Sequence, residues 1–235
     1  VGSEMCIRDR KMGRMDVYHT FLKRALSYQT IFDSKINKIH PKMKDGSWYE
    51  PYDPFLANER DGVGDFCEGN GWQYTFMVPQ DPDGLIKAHG GDAAFVKNLD
   101  ELFVVEGDLG EGAPPDVSGM VGQYAHGNEP NHHTPYLYVY AGQPYKTAEK
   151  VRMLQNKFYT DEPDGYCGNE DCGQMSAWHI MSALGFYQVN PSNGIFVFGS
   201  PLFKKATIHL PEGKTFVITA PNNNCLLYTS PSPRD

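Results

Sequence analysis

Residues 92–103 read DAAFVKNLDELF, a stretch whose apolar side chains recur at the spacing of an amphipathic helix. Asp92 at its start is suited to cap the first turn. Comparable spacing marks the other helical candidates, residues 16–31, 70–78 (helix or short extended segment), 133–141, 147–159 and 173–186. After residue 193 the pattern changes to short β-branched and aromatic runs separated by Pro and Gly, which predicts strands. The predicted fold class is therefore mainly α, with a short C-terminal β segment.

The composition of the 235-residue chain excludes several classes of protein. Its 21 Lys and Arg residues against 29 Asp and Glu residues give a net charge of −8. This balance argues against a nucleic-acid binder, because phosphate contacts need a surplus of cations. No apolar run approaches the roughly 20 residues of a membrane span. We therefore expect one or two globular domains that take neutral or cationic ligands, with no nucleic acid as partner and no membrane span.

The two ends of the chain do not continue the patterns beside them. Residues 1–10, VGSEMCIRDR, and residues 225–235, CLLYTSPSPRD, resemble translated adapter sequence, and we expect both to be non-native. Between them lie Cys67, Cys167 and Cys172, an odd number that cannot form a complete set of disulfides. Two interpretations stay open: Cys167 and Cys172 pair, or the thiols are buried and free.

The first of three polar loops, residues 65–81, reads DFCEGNGWQYTFMVPQD and sets Glu68 among glycines and beside Trp72. A carboxyl group against an aromatic, partly desolvated wall has a raised pKa, as a general acid at neutral pH requires. The alternative is an exposed glutamate in a glycine-rich turn, which is the default for this residue type.

The second loop, residues 122–138, reads GQYAHGNEPNHHTPYLY and is dense in polar side chains that can bind a metal or a ligand. These are Gln123, His126, Asn128, Glu129, His132 and His133. Their spacing matches no established zinc pattern. Amide and carboxylate oxygens suit Ca²⁺ better. The alternative is a polar turn in which the histidines bond backbone groups.

The third loop, residues 161–178, reads DEPDGYCGNEDCGQMSAW and leads directly into an apolar helical segment. Its adjacent acids, Glu170 and Asp171, repel each other, so we expect a metal, hydrogen-bond donors or a helix N-terminus to hold one of them. Such a site can supply a base that stays ionised. An acidic cap at the start of the helix is the alternative.

Carboxylates in separate loops, together with Trp, Tyr, His and Asn side chains, fit the two-carboxylate chemistry of glycoside hydrolysis. The chain closely resembles glycoside hydrolase family 92, whose members are Ca²⁺-dependent, exo-acting α-mannosidases that invert the anomeric centre. The resemblance rests on long motifs in the family's order: EGNGWQYTFMVPQD, GQYAHGNEPNHH, YAGQPYKT, PDGYCGNEDCGQMSAW and SALGFYQVNPSNGIFVFGSPLFKKATIHLP. It extends from about residue 18 to residue 224.

The resemblance implies roles for the acids of the first and third loops. Glu68 falls on the family's general acid and Asp171 on its general base. Many relatives carry Asp two positions before the base, where this chain has Asn169. Asn169 and Glu170 are expected to support the base or to contact substrate.

The resemblance also implies a calcium site and sugar contacts. Asn128 and Glu129 are the expected calcium ligands, with Gln123 as a further candidate. The substrate-binding candidates are Trp72, Gln73, His126 and His132. Trp178, which is followed by an apolar helical stretch, is expected in the core.

Family members combine an N-terminal β-sandwich with an (α/α)₆ barrel, and the active site lies between the two. By resemblance, residues 11–192 form part of the barrel and residues 193–224 begin the β segment, while the β-sandwich is the missing partner. The implied function is release of terminal α-mannose from glycans, with α-1,2 as the expected linkage and a secreted or periplasmic location. The alternative is an inactive carbohydrate-binding fragment of such an enzyme.

Overall fold

A computed structural model describes residues 6–57, 64–221 and 223 of the chain. Within these residues the fold is mainly helical. The helices are α1 (Cys6–Lys11), α2 (Met15–Ala25), α3 (Gly71–Thr75), α4 (Pro82–Ala88), α5 (Asp92–Leu102), α6 (Pro144–Phe158) and α7 (Gln174–Leu184). Short 3₁₀ turns span Ser27–Thr30, Glu129–Asn131, Thr134–Val139, Asp171–Gly173 and Pro211–Gly213.

The strands occur as antiparallel pairs. They are β1 (Phe32–Asp33) with β2 (Lys38–Ile39), β3 (Met120–Val121) with β4 (Tyr124–Ala125), β5 (Phe186–Tyr187) with β6 (Val197–Phe198), and β7 (Lys205–His209) with β8 (Thr215–Thr219). The longest pair, β7–β8, confirms the strands predicted after residue 193. The other pairs have two residues in each strand and are too brief for their sequences to show a strand pattern.

Several predicted helices differ from the observed ones in detail. Helix α5 takes Gly91 as its N-cap, so Asp92 is the first helical residue and not the cap. The segment predicted as a helix over residues 133–141 is a 3₁₀ turn, Thr134–Val139. Helix α4 was not predicted, although Asp81 caps it by accepting a hydrogen bond from the Gly84 backbone nitrogen.

The structure describes part of one of the two ends. Helix α1 (Cys6–Lys11) includes the second half of the N-terminal segment that is expected to be non-native. Residues 225–235 lie outside the described part of the chain.

One hydrophobic core joins α3–α7 and the 3₁₀ turn Thr134–Val139. Fully buried members include Phe76, Phe95, Leu99, Leu102, Tyr124, Tyr136, Leu137, Val151, Leu154 and Trp178. The expectation of a core position for Trp178 is confirmed. Truncating such side chains costs about 2–5 kcal/mol each, so this core holds the loops between the helices in place.

Two elements lie outside that core. Helix α2 contains no buried residue. Strand β7 alternates between exposed and half-buried side chains, and β8 is exposed except at the half-buried Ile218. Among the described residues, no helix combines the length and the apolar content needed to span a bilayer.

Candidate active site

The first loop is held by the start of helix α3. Asn70 caps this helix by accepting a hydrogen bond from the Gln73 backbone nitrogen at 3.1 Å, and the Gln73 side chain accepts from the Asn70 nitrogen at 3.2 Å. This reciprocal capping box satisfies two backbone donors of the first turn. Glu68 lies two residues before the cap, half-buried, with a φ of 50°. The cap therefore positions the segment that carries the predicted acid.

Asn128 connects the second loop directly to Glu68. Its buried side-chain amide donates to the Glu68 carbonyl oxygen at 2.8 Å and to Glu68 Oε2 at 3.4 Å. The second loop is thus hydrogen-bonded to the first loop at Glu68, the predicted general acid.

Asp171 in the third loop approaches Glu129 in the second. Burial, a hydrogen bond between the two carboxyl groups, and repulsion by Asp171 and Glu68 together raise the pKa of Glu129. Glu68 and Asp171, from two other loops, are therefore both near enough to Glu129 to act on its carboxyl group. Their repulsion favours uptake of a proton or a cation at Glu129.

Helix α7 holds the remaining acid of the third loop. Glu170 accepts hydrogen bonds from the backbone nitrogen and the hydroxyl of Ser176, at 3.2 and 3.0 Å. This geometry matches the helix-cap interpretation of Glu170. Asn169 is exposed and donates from its amide to Asp116 Oδ1 at 3.1 Å.

The two histidines predicted to contact sugar hydroxyls lie inside the protein. His126 bonds the hydroxyls of Tyr124 and Tyr159, at 2.8 and 2.9 Å. His132 bonds the His126 carbonyl oxygen at 2.9 Å and the Gln174 amide at 3.1 Å. Burial lowers the pKa of both rings. Both histidines therefore support the loop, and this structure leaves neither ring an accessible nitrogen for a sugar.

Three further candidates also serve as framework. The Gln123 side-chain oxygen accepts from Asn70 Nδ2 at 2.8 Å, and the Gln123 carbonyl accepts from Gln73 Nε2 at 3.1 Å. Trp72 is 7% exposed, and Lys38 Nζ lies 3.6 Å from the centre of its ring. The bonds of Gln123 join the first and second loops, and Lys38 of β2 covers the Trp72 ring.

The donor chemistry fits a hard cation in part. Glu129 and Asn128 offer oxygen atoms of the kind that calcium prefers. Gln123 is buried, and its side-chain oxygen accepts a hydrogen bond from Asn70. Among the described residues, no three His, Cys, Asp or Glu side chains converge closely enough to hold a metal by themselves.

The cysteines of the site loops are free thiols. Cys67 and Cys172 are exposed, and Cys167 is partly buried. Of the two interpretations, the pairing of Cys167 with Cys172 is wrong and the free thiols are confirmed, although Cys67 and Cys172 are exposed where burial was expected.

Sequence reasoning missed Gln174 and Asp116. Gln174 orients His132 from the first turn of α7, and Asp116 holds Asn169. Asp116 lies in a loop with no motif of its own, so only its contact across the fold reveals it.

Comparison with known proteins agrees with this geometry. The chain matches the model of the glycosyl hydrolase family 92 catalytic domain over residues 5–231. It is similar to a GH92 α-mannosidase from Bacteroides thetaiotaomicron, at 42% identity over 92% of this chain and 28% of that one, with a TM-score of 0.80. A GH92 inverting mannosidase from the same organism is 38% identical over 94% of this chain and 31% of that one, with a TM-score of 0.76.

A further relative is described as an uncharacterized secreted glycosidase of Arthroderma benhamiae. It is 25% identical over 240 residues, which cover 92% of this chain and 28% of the relative. The chain thus spans less than a third of the length of the relatives that it matches. Since the family model covers nearly all of its residues and the solved family members share its fold, this chain belongs to glycosyl hydrolase family 92.

Proposed function

We propose that the chain is part of an exo-acting α-mannosidase that removes terminal, non-reducing α-mannose from glycans with inversion at the anomeric carbon. The observation that carries this proposal is the pair of hydrogen bonds from the Asn128 amide of the second loop to Glu68 of the first. Next to Asn128, Glu129 has a pKa raised by burial and by Asp171 and Glu68, which brings the acid of the third loop to the same place. Paired carboxylates across one cleft are the means by which most glycosidases work.

Glu68 is the proposed general acid. Its carboxyl group donates a proton to the glycosidic oxygen as the bond from that oxygen to the anomeric carbon breaks. Asp171 is the proposed general base: it takes a proton from a water molecule on the opposite face, and the water oxygen bonds to the anomeric carbon. Inversion requires room for that water, so we expect about 6.5–9.5 Å between the two carboxyl groups.

Asn128 and Glu129 are the proposed calcium ligands. Calcium held by these residues would supply positive charge for binding sugar hydroxyls and for stabilising the flattened ring of an oxocarbenium-like transition state. The same charge would offset the repulsion of Glu129 by Asp171 and Glu68. Four buried side chains support this site by hydrogen bonds that hold its loops in place: Gln73, Gln123, His126 and His132.

The finer features follow from the family. We propose that residues 11–192 complete an (α/α)₆ barrel together with the rest of the polypeptide. An N-terminal β-sandwich would then close the site. The proposed substrate is an N-glycan or a related mannoside with an α-1,2 linkage. The location is secreted or periplasmic, in line with the relative described as secreted.

The test is release of mannose from an aryl α-mannoside and from an α-1,2-mannobiose, with the first anomer observed by proton NMR. We expect β-mannose as the initial product and loss of activity in excess chelator, with recovery on adding calcium. Initial α-mannose would contradict inversion. Full activity in chelator would contradict the calcium assignment.

A second candidate is carbohydrate binding without catalysis by this chain alone. It is favoured by helix α2, which buries no residue, and by the chain's covering less than a third of its relatives' length. Calorimetric binding of mannose without aryl alcohol release would support this candidate and exclude catalysis by the isolated chain.

A further inference from the structure

Residues 116–119 lie between two of the site loops and belong to neither. The Gly127 backbone nitrogen donates to the Ser118 carbonyl oxygen at 3.0 Å, and the His126 nitrogen donates to the Gly119 carbonyl at 3.1 Å. These bonds continue the β3–β4 hairpin as far as Gly127, next to Asn128. The segment is thereby fixed to the loop that bonds Glu68.

The same segment is also tied to the loop that carries Asp171. The Ser118 hydroxyl donates to the Cys167 carbonyl oxygen at 2.8 Å, and the Asn169 amide donates to Asp116 Oδ1 at 3.1 Å.

Two glycines, Gly127 and Gly168, bring the second and third loops into close contact. Gly168 lies so close to the second loop that a β-carbon would sit 2.5 Å from the Gly127 carbonyl oxygen. Residues 116–119, 126–128 and 167–169 therefore form a three-segment junction that links the surroundings of Glu68 to those of Asp171.

We propose that Asp116 is a positioning residue for Asp171. It acts through Asn169, which lies two residues before Asp171, and so helps to set the separation between the proposed base and Glu68. This inference rests on the proposed function, because it takes Asp171 as the base. Asp116 itself has no contact with substrate in this scheme.

The local backbone explains why Asp171 needs such a restraint. Asp171 and Cys172 both have positive φ, at 47° and 57°, and both are exposed. A non-glycine residue in this region persists only where its surroundings hold it. A carboxylate is a stronger acceptor than a neutral group, so Asp116 suits the task of holding the Asn169 amide.

The test combines four variants, Asp116→Ala, Asn169→Ala, their double variant and Asp116→Asn. Their kcat and KM are measured on an aryl α-mannoside. Hydrogen–deuterium exchange is followed in the peptide that contains residues 167–171. Asp108→Ala is the matched control, since Asp108 accepts from the Gly110 nitrogen within its own exposed loop.

We expect each alanine variant to lower kcat about 10-fold with KM within twofold, because a small displacement of the base slows the chemical step more than binding. The kcat of the double variant should be no lower than that of the slower single variant. Asp116→Asn keeps an oxygen acceptor and should recover most of the rate. Exchange should quicken equally in both alanine variants, and the control should match the wild type.

The inference is overturned if Asp116→Ala leaves kcat and exchange unchanged, or if the two alanine effects multiply. If the wild-type chain releases no mannose, the proposed function fails for this chain, and the exchange data alone decide. Equal acceleration in the alanine variants, absent in Asp116→Asn, then still supports the link to the Asp171 loop. Unchanged exchange rejects it.

Discussion

Glu68 and Asp171 share a backbone conformation that is rare for residues with side chains, with φ of 50° and 47°. Such a conformation costs of the order of 1–3 kcal/mol and tends to occur where function requires it. At Glu68 the hydrogen bond from the Asn128 amide to the Glu68 carbonyl helps to hold it. The backbone conformation of Glu68 is therefore held by a contact with the second loop, which the sequence motif does not show.

At the residue scale, we predict that Glu68→Gln lowers kcat on a mannoside with a poor leaving group by about 10²–10⁴-fold, the usual contribution of general acid catalysis. The loss should be much smaller on a dinitrophenyl mannoside, whose leaving group needs no proton. The rates of hydrolysis of the two mannosides measure the difference.

Glu212→Gln is the matched control for this prediction. Glu212 also has a positive φ, 61°, but it is exposed in the β7–β8 turn. Equal losses on the two leaving groups in Glu68→Gln would assign Glu68 a role other than proton donation.

At the scale of elements, the N-terminus of α3 is the critical structure. Asn70 caps the helix and also donates to the Phe55 carbonyl and to Gln123, at 3.0 and 2.8 Å. We predict that Asn70→Ala lowers the free energy of unfolding by about 1–3 kcal/mol, since it removes a cap and leaves a buried oxygen without its donor. It should also reduce mannose release, because Glu68 lies two residues away.

Urea unfolding and the aryl mannoside assay measure these two effects. Asn190→Ala serves as the control, since Asn190 accepts from Ser192 within a turn outside the site. A stability loss no greater than that of the control would show that the cap does not hold the loop.

The contact between α4 and α5 predicts a pH dependence of stability. His89 bonds the Leu85 carbonyl and Asn98, and burial lowers its pKa from 6.5 to about 4. Below pH 6.5 the histidine of the unfolded chain binds a proton, whereas the buried His89 ring of the folded chain stays neutral until the pH nears 4. The free energy of unfolding therefore decreases as the pH falls from 6.5 toward 4. The full effect is about 3 kcal/mol.

Replacing the His89 ring should make the free energy of unfolding less dependent on pH. We expect His89→Gln to be less stable than the wild type at pH 7 and to close the gap by about 2 kcal/mol at pH 5. Exposed His209 in β7 provides the control variant, His209→Gln. An identical wild-type and His89→Gln pH dependence in urea unfolding would contradict the prediction.

At the scale of the whole molecule, the C-terminal region leaves apolar side chains in solvent. Phe198 is 84% exposed and Phe203 55%, while the neighbouring Val197 is only 8% exposed. Large exposed apolar patches on a soluble protein promote association. We predict that Phe198→Ser reduces self-association in sedimentation measurements and changes the free energy of unfolding by less than about 0.5 kcal/mol.

Val197→Ser is the opposite case. It removes a buried side chain and should destabilise the protein by about 1–3 kcal/mol without reducing association. If Phe198→Ser is as destabilising as Val197→Ser, then Phe198 is packed and the surface is not available for association.

The sequence by itself determined the local structure and the family. The periodicity of α5, α6 and α7 and the β-branched and aromatic runs of β7 and β8 are short-range signals, so they can be recognised without knowledge of the fold. The three polar loops and their acids were predicted from long motifs, which are also contiguous in the sequence and need no knowledge of the fold. Details failed where a neighbouring residue changed the local energy, as when Gly91 displaced Asp92 from the cap of α5.

Only the tertiary structure decided the partners of the polar side chains in these loops. The buried ones are Gln123, His126, Asn128 and His132. Each of them bonds a residue from another segment, whereas Glu129 is half-buried beside Asp171. Side-chain direction and burial depend on segments far apart in the chain, which no local pattern encodes. The partnership of Asp116 with Asn169 has the same origin.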